Sequence, residues 1–185
     1  MRIGYDAKRL FHNFTGLGNY SRTLVSNLAR LYPEHEYLLF TPSVRTNPRT
    51  AEFLTHPRMR VVEPRTPTPL WRTWGMASEI KKEGIEIYHG LSHEIPFGFS
   101  RKKIPSVVTI HDLIFKVHPE QYAWADRLVY NAKFGYACRH ASKVVAISEN
   151  TKRDIVNFYK IPEQKVEMIP QTCDRSFYTL VSQKQ

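Results

Sequence analysis

Short runs of strand-forming residues alternate with longer stretches of helical periodicity along the whole chain, and that alternation leaves few folds open. Residues 2–6 form a first strand. Over 18–31 the apolar residues Tyr20, Leu24, Val25, Leu28 and Leu31 share one face of an amphipathic helix that Pro33 ends. Residues 36–41 and 59–63 are the second and third strands, separated by a Pro, Thr and Arg-rich loop over 42–56 with a short helix around 50–54. Pro64, Pro67 and Pro69 interrupt the chain before a helix over 70–83, in which Gly75 is a weak point. Strands follow at 85–89 and 107–111, the latter a nearly unbroken apolar run of the kind buried on both faces of a parallel sheet. A helix over 122–140, a strand at 143–147, a helix over 149–159 opened by Ser148 as N-cap, and a strand at 166–169 complete the pattern. The expected fold is α/β and Rossmann-like: an open, mostly parallel sheet with helices on both faces, without internal repeats or low-complexity tracts.

Composition narrows the partners. At 42% hydrophobic and 24% charged residues, the chain is too apolar to stay disordered. Its 185 residues suit one α/β domain, since two would each need roughly 150. Cys138 and Cys173 cannot build a disulfide framework, and Met1-Arg2-Ile3-Gly4-Tyr5-Asp6 carries charge where a signal peptide needs its apolar core. No apolar run approaches the roughly 18 to 20 residues of a membrane span. The expectation is a reduced, cytoplasmic protein. Lys and Arg number 27 against 17 Asp and Glu, a net charge of +10, so an anionic partner is expected: nucleic acid, an anionic membrane or a phosphorylated substrate.

In open α/β sheets ligands lie beyond the carboxyl ends of the strands, so the residues after each strand are the candidates. They are Asp6 and the loop to Gly16-Leu17-Gly18-Asn19, then His89-Gly90-Leu91-Ser92-His93-Glu94, His111-Asp112, and Ser148-Glu149-Asn150. Gly16-Leu17-Gly18-Asn19-Tyr20-Ser21 superficially matches a dinucleotide fingerprint. It does not follow its strand directly, lacks the third glycine, and the second strand ends in Phe40-Thr41 without an acidic ribose ligand. What survives is a small-residue turn that lets backbone approach a diphosphate at a helix N-terminus, or a turn serving only the chain. His111 leaves a buried strand beside Asp112, a place for positioning or proton handling, unless a neighbouring backbone group simply satisfies it.

Other chemistry is poorly supported. His89 and His93 lie in a Gly and Pro-containing loop, and neither cysteine has a partner at zinc spacing, so no metal site is expected. A Gly-x-Ser-x-Gly elbow and a Walker lysine are absent, and Cys138 sits mid-helix as a packing residue. Arg45, Arg49, Arg58, Arg60, Arg65, Arg72, Lys81 and Lys82 accompany Leu70, Trp71, Trp74 and Met76, a combination able to bed into an anionic membrane surface. The opposite reading is that the tryptophans pack on the sheet while the charges are solvated. No helix-turn-helix or aromatic RNA-binding signature supports nucleic acid.

Four segments in order carry a resemblance: Thr15-Gly16-Leu17-Gly18-Asn19-Tyr20-Ser21-Arg22-Thr23-Leu24, Thr109-Ile110-His111-Asp112-Leu113, Val145-Ala146-Ile147-Ser148-Glu149-Asn150-Thr151-Lys152-Arg153-Asp154-Ile155, and Lys165-Val166-Glu167-Met168-Ile169-Pro170. Together they resemble the N-terminal domain of family 4 retaining glycosyltransferases of the GT-B fold. Gln171-Thr172-Cys173-Asp174 departs from the Asn-Gly-Val-Asp of many relatives, while Phe177 keeps the pattern. The resemblance implies a metal-independent retaining hexosyltransferase without cofactor that moves a sugar from a nucleotide-diphosphate sugar to a glycan or lipid-linked acceptor in surface polysaccharide synthesis. It places Gly16 and Gly18 against the donor diphosphate and makes His111 the catalytic candidate, in a positioning and electrostatic role. Asn19, Tyr20, His89, His93 and Asp112 become acceptor contacts. It divides the chain into an acceptor-side domain over 1–170 and the start of a linker over 171–185, with the donor-binding C-terminal domain missing and the isolated domain inactive. The basic charge then suits an anionic membrane surface or phosphorylated acceptor, at the inner face of the membrane, rather than nucleic acid. A non-enzymatic partner-binding module and a GT-B-like sugar epimerase fragment are the alternatives.

Overall fold

Strand β1 (Arg2–Asp6) sits in the middle of the sheet, and the chain winds outward from it in both directions. The computed structural model describes residues 1–65, 68, 70–99 and 104–173. The remaining strands are β2 (Glu36–Phe40), β3 (Met59–Val62), β4 (Ile87–Gly90), β5 (Ser106–Ile110), β6 (Lys143–Ala146) and β7 (Val166–Met168). They form one seven-stranded sheet in the order β3-β2-β1-β4-β5-β6-β7, and every pairing is parallel. The winding reverses between β1 and β4, so a crevice opens there beyond the carboxyl ends of both strands.

The helices are α1 (Lys8–His12), α2 (Gly16–Leu31), α3 (Ala51–Thr55), α4 (Met76–Lys82), α5 (Ile114–Val117), α6 (Trp124–His140) and α7 (Glu149–Tyr159). Strand alternation decides which face each covers. Tyr37 and Leu39 of β2 join Leu10, Phe11, Val25 and Phe53 of α1 to α3. Leu38 and Phe40 point the other way, into a core shared with Met76, Ile80, Phe134 and Ile155 of α4, α6 and α7.

Several elements differ from the sequence expectation. Helices α1 and α5 are too short to show a helical period, although Leu10 and Phe11 of α1 are fully buried. Helix α2 starts at Gly16 because the Asn13 side-chain oxygen accepts from the backbone amides of Thr15 and Gly18, capping it from outside. Leu31, expected on the buried face, is 59% exposed, whereas Arg22 is buried. The Arg22 guanidinium donates to the carbonyls of Leu10 and Asn13 and to Asn19 Oδ1, which ties α1 to α2 and satisfies the buried charge. Residues Trp71–Gly75 wind as a π-helical turn before α4 begins. Trp71, Arg72 and Met76, expected from the sequence to share an exposed basic and aromatic surface, are instead turned inward. Trp71 is buried with its indole N–H donating to Glu79, and Arg72 is held inward by carboxylates; Leu70 and Trp74 do stay exposed. Pro67, Pro69 and the 174–185 part of the expected linker, with Asp174 and Phe177, lie outside the described residues.

Candidate functional site

Two glycines shape the carboxyl edge. A Cβ on Gly18 would lie 1.6 Å from the carbonyl oxygen of Asn13, so the glycine is demanded by the return of the chain from α1 into α2. A Cβ on Gly90 would lie 2.0 Å from the Glu94 carbonyl, so the 90–94 loop can curl back on itself only with glycine there. Gly16 is different: open space surrounds its Cβ position. Its amide and that of Leu17 have no hydrogen-bond partner among the described residues, leaving donors at the start of a 16-residue helix.

The curl of the 90–94 loop brings three histidines together. His111, at the end of β5, is buried; its Nε2 stands 2.9 Å from the Leu91 carbonyl and its Nδ1 2.6 Å from the side-chain amide nitrogen of Gln171. An amide nitrogen can only donate, so Nδ1 accepts, Nε2 carries the proton, and the ring is neutral. Burial lowers its pKa, against the opposing effects of the Leu91 carbonyl and Asp112. Tyr20 meets the His111 ring edge-on at 4.8 Å, and the Tyr20 hydroxyl lies 2.9 Å from Thr109 Oγ1. His89 Nε2 lies 2.8 Å from that same Thr109 oxygen, and burial with the nearby His111 pushes its pKa down to about 4.

His93 completes the group. Its backbone is left-handed, with φ of 63°, an arrangement that costs free energy for a side chain with a Cβ. Its amide donates to the Thr109 carbonyl, its ring stacks on Phe134 at 4.4 Å, and it stands 5.1 Å from the His111 ring. Buried Nδ1 of His93 has no hydrogen-bond partner among the described residues, and burial pushes its pKa well down. His93, on the strained loop, keeps a ring nitrogen without a partner, and a neutral imidazole of this kind is suited to hydrogen-bonding a polyhydroxy ligand. Among the described residues no group of three or more His, Cys, Asp or Glu side chains is arranged to hold a metal ion.

Of the residues singled out by sequence, Tyr20, His89, His93 and His111 therefore converge. Asp112 and Asn19 have local structural partners: Asp112 Oδ1 accepts from the amide of Ile114 at the start of α5, and Asn19 Oδ1 accepts from Arg22. Gly16 lies one helical turn before Tyr20.

Sequence reasoning missed an ion cluster beside the histidines. Arg72 grips Asp6 with Nε and one terminal nitrogen, at 3.0 and 2.6 Å, while its other terminal nitrogen is 3.6 Å from Glu94. Lys133 pairs with Glu94 at 3.1 Å. Burial would lower the Arg72 pKa, but Asp6 and Glu94 outweigh it and hold the guanidinium charged. Asp6 at a strand end was visible in the sequence; its partners come from segments 66 and more residues away, which no local pattern reveals.

A family model described as Glycosyltransferase Family 4 matches residues 14–177. The fold is similar to a glycosyltransferase from Rickettsia africae ESF-5, at 15% identity and a TM-score of 0.56, over 96% of this chain and 44% of that one. An alpha-glucosyltransferase solved in complex with UDP and a 13-mer DNA containing an HMU base is also similar, at 16% identity and a TM-score of 0.49, over 94% of this chain and 43% of that one. The chain thus spans less than half the length of these solved structures. No curated protein sequence matches it.

Proposed function

Because the chain belongs to Glycosyltransferase Family 4, we propose that it is the acceptor-side half of a retaining hexosyltransferase that uses a nucleotide-diphosphate sugar. The observation that carries this reading is the convergence of Tyr20, His89, His93 and His111 at the crevice where the sheet winding reverses. Neutral His111 positions the transferred sugar and contributes its dipole. Its Nδ1 accepts from Gln171, and a sugar hydroxyl can take the place of that amide. The free amides at the start of α2 face the donor diphosphate, with Gly16 at the contact and Gly18 letting the chain pass behind it. Tyr20, His89 and His93 line the acceptor side, with Asn19 and Asp112 shaping its rim.

A donor-binding half completes the enzyme, and residues 1–170 alone give little turnover, because stabilising the departing diphosphate is a leading catalytic contribution. The acceptor is a glycan or lipid-linked glycan of surface polysaccharide synthesis, and the +10 charge draws such anionic acceptors or the membrane carrying them. No described helix is long and apolar enough to cross a membrane. The basic charge is what supports the proposed peripheral contact with the inner face of the membrane. The test is sugar transfer from a panel of UDP- and GDP-sugars by this chain joined to a GT-B donor-binding half. Transfer only with both halves present supports the proposal; none from either arrangement across the panel rejects it.

A further inference from the structure

A cavity of about 290 Å³ opens among Lys8, Arg72, Lys133, Thr68, Thr73 and Pro42. We propose that this cavity seats a phosphoryl group carried by the acceptor; the proposal rests on the glycosyltransferase reading for the word acceptor, and on the cavity's own chemistry for the phosphoryl group.

Three cations reach the cavity from segments far apart in sequence: the start of α1, the π-helical turn after β3, and α6. Their carboxylate compensation is uneven. Asp6 and Glu94 serve Arg72, and Glu94 also serves Lys133. The Lys8 ammonium has no carboxylate within ion-pair distance among the described residues, since Asp6 takes only its backbone amide. Burial lowers the Lys8 pKa, helped by the charges of Arg72 and Arg9 and opposed by Asp6 and Glu94. Both carboxylates are ion-paired to Arg72 or Lys133 rather than to Lys8, so the half-buried ammonium lacks a counter-charge of its own. An anion in the cavity supplies it.

The geometry favours a tetrahedral anion over a carboxylate. The Arg72 fork that would hold a planar carboxylate through two parallel bonds is already spent on Asp6. What remains is cations around a volume that Thr68 and Thr73 also line, a surround that matches oxygens pointing in several directions. The position fits a substrate subsite. Asp6 ends β1 and the 90–94 loop follows β4, the two strands between which the winding reverses. Glu94 follows His93 directly, and Lys133 precedes Phe134, on which His93 stacks. An anion held by Lys133 and Lys8 is therefore linked to the histidine group through Glu94 and Phe134.

The test is titration of the 185-residue chain with inorganic phosphate, glucose 6-phosphate and glucose, followed by amide chemical shifts. Both phosphates should move the amides of Lys8, Thr73 and Lys133, and glucose should not. Lys8→Ala should weaken phosphate binding at least tenfold, with Lys8→Met as a second variant that keeps the apolar stem and Lys82→Ala as an exposed control without effect. No perturbation at the cavity, or equal weakening by Lys82→Ala, overturns the inference. Full transfer to unphosphorylated acceptors by the two-half enzyme, unchanged in Lys8→Ala, also overturns it while leaving the glycosyltransferase reading intact. Phosphate binding at the cavity without sugar transfer from any donor keeps the anion site and removes the reading on which the word acceptor rests.

Discussion

The side-chain amide of Gln171 stands 2.6 Å from Nδ1 of His111, joining the last described segment of the chain to the end of β5. That contact fixes the tautomer of the imidazole, because a donor at Nδ1 leaves the proton on Nε2, where the Leu91 carbonyl accepts it. Nitrogen-detected NMR at pH 7 should show His111 neutral and protonated at Nε2. Gln171→Ala removes a bond that favours the neutral ring, so the His111 pKa should rise toward its ordinary value. A proton on Nδ1 in the unsubstituted protein would contradict the assignment.

Burial of the histidines makes stability depend on pH. His89 is pushed down to about 4, and His93 and His111 are lowered in the same direction. In the unfolded chain all three bind protons near 6.5, while the folded chain resists until lower pH. The stability they contribute is therefore fully present above pH 6.5 and lost as pH falls toward 4, by as much as about 1.4 kcal/mol per pH unit for each histidine. Thermal unfolding across this range should show the decline, and His89→Gln should flatten it. A melting temperature constant from pH 7 to 4.5 would be inconsistent with neutral buried rings.

The two glycines of α2 should separate cleanly. Gly18→Ala drives a Cβ into the Asn13 carbonyl and should destabilise the domain by about 3 kcal/mol or more, since backbone must move. Gly16→Ala meets nothing and should keep or slightly raise stability, by up to about 1 kcal/mol. Urea unfolding of both variants checks the pair. If Gly16→Ala folds normally yet weakens donor use, the proposed diphosphate contact gains its support without interference from folding.

Ser148 accepts from the Thr151 amide at the start of α7, and the Thr151 hydroxyl donates to the His111 carbonyl. Ser148→Ala should cost about 1 kcal/mol in urea unfolding. Thr151→Val should cost a similar amount and perturb the His111 ring signals, because it frees the carbonyl at the end of β5.

Much of this fold is legible in local pattern. Helix α7 runs from Glu149 to Tyr159, the span expected from its Ser148 cap and the following Ile161-Pro162, and the apolar run of β5 gives a central parallel strand. Local pattern fails where chemistry overrides periodicity. Arg22 lies on the buried seam of α2 because carbonyls of α1 receive it, and α1 itself has too few residues to show a period. The histidines at strand ends are visible as candidates, yet their convergence depends on Gly90 letting the loop fold back toward Glu94. The Asp6–Arg72–Glu94–Lys133 cluster is invisible in sequence, because residues on β1, the π-helical turn, a loop and α6 meet only through the sheet topology. Arg72, counted by composition among surface charges, is the clearest example.

The central claim is that His111 lies against the transferred sugar, and its most direct test is the rate of sugar transfer by the two-half enzyme with His111 replaced by Ala. At saturating donor, His111→Ala should lower kcat by about 100-fold, the scale expected when a transition-state hydrogen-bonding group is removed. Circular dichroism should show the fold retained, and Gln171→Ala should keep a kcat within a few-fold of the parent. A His111→Ala enzyme that folds and transfers sugar at the full parental rate would contradict the account.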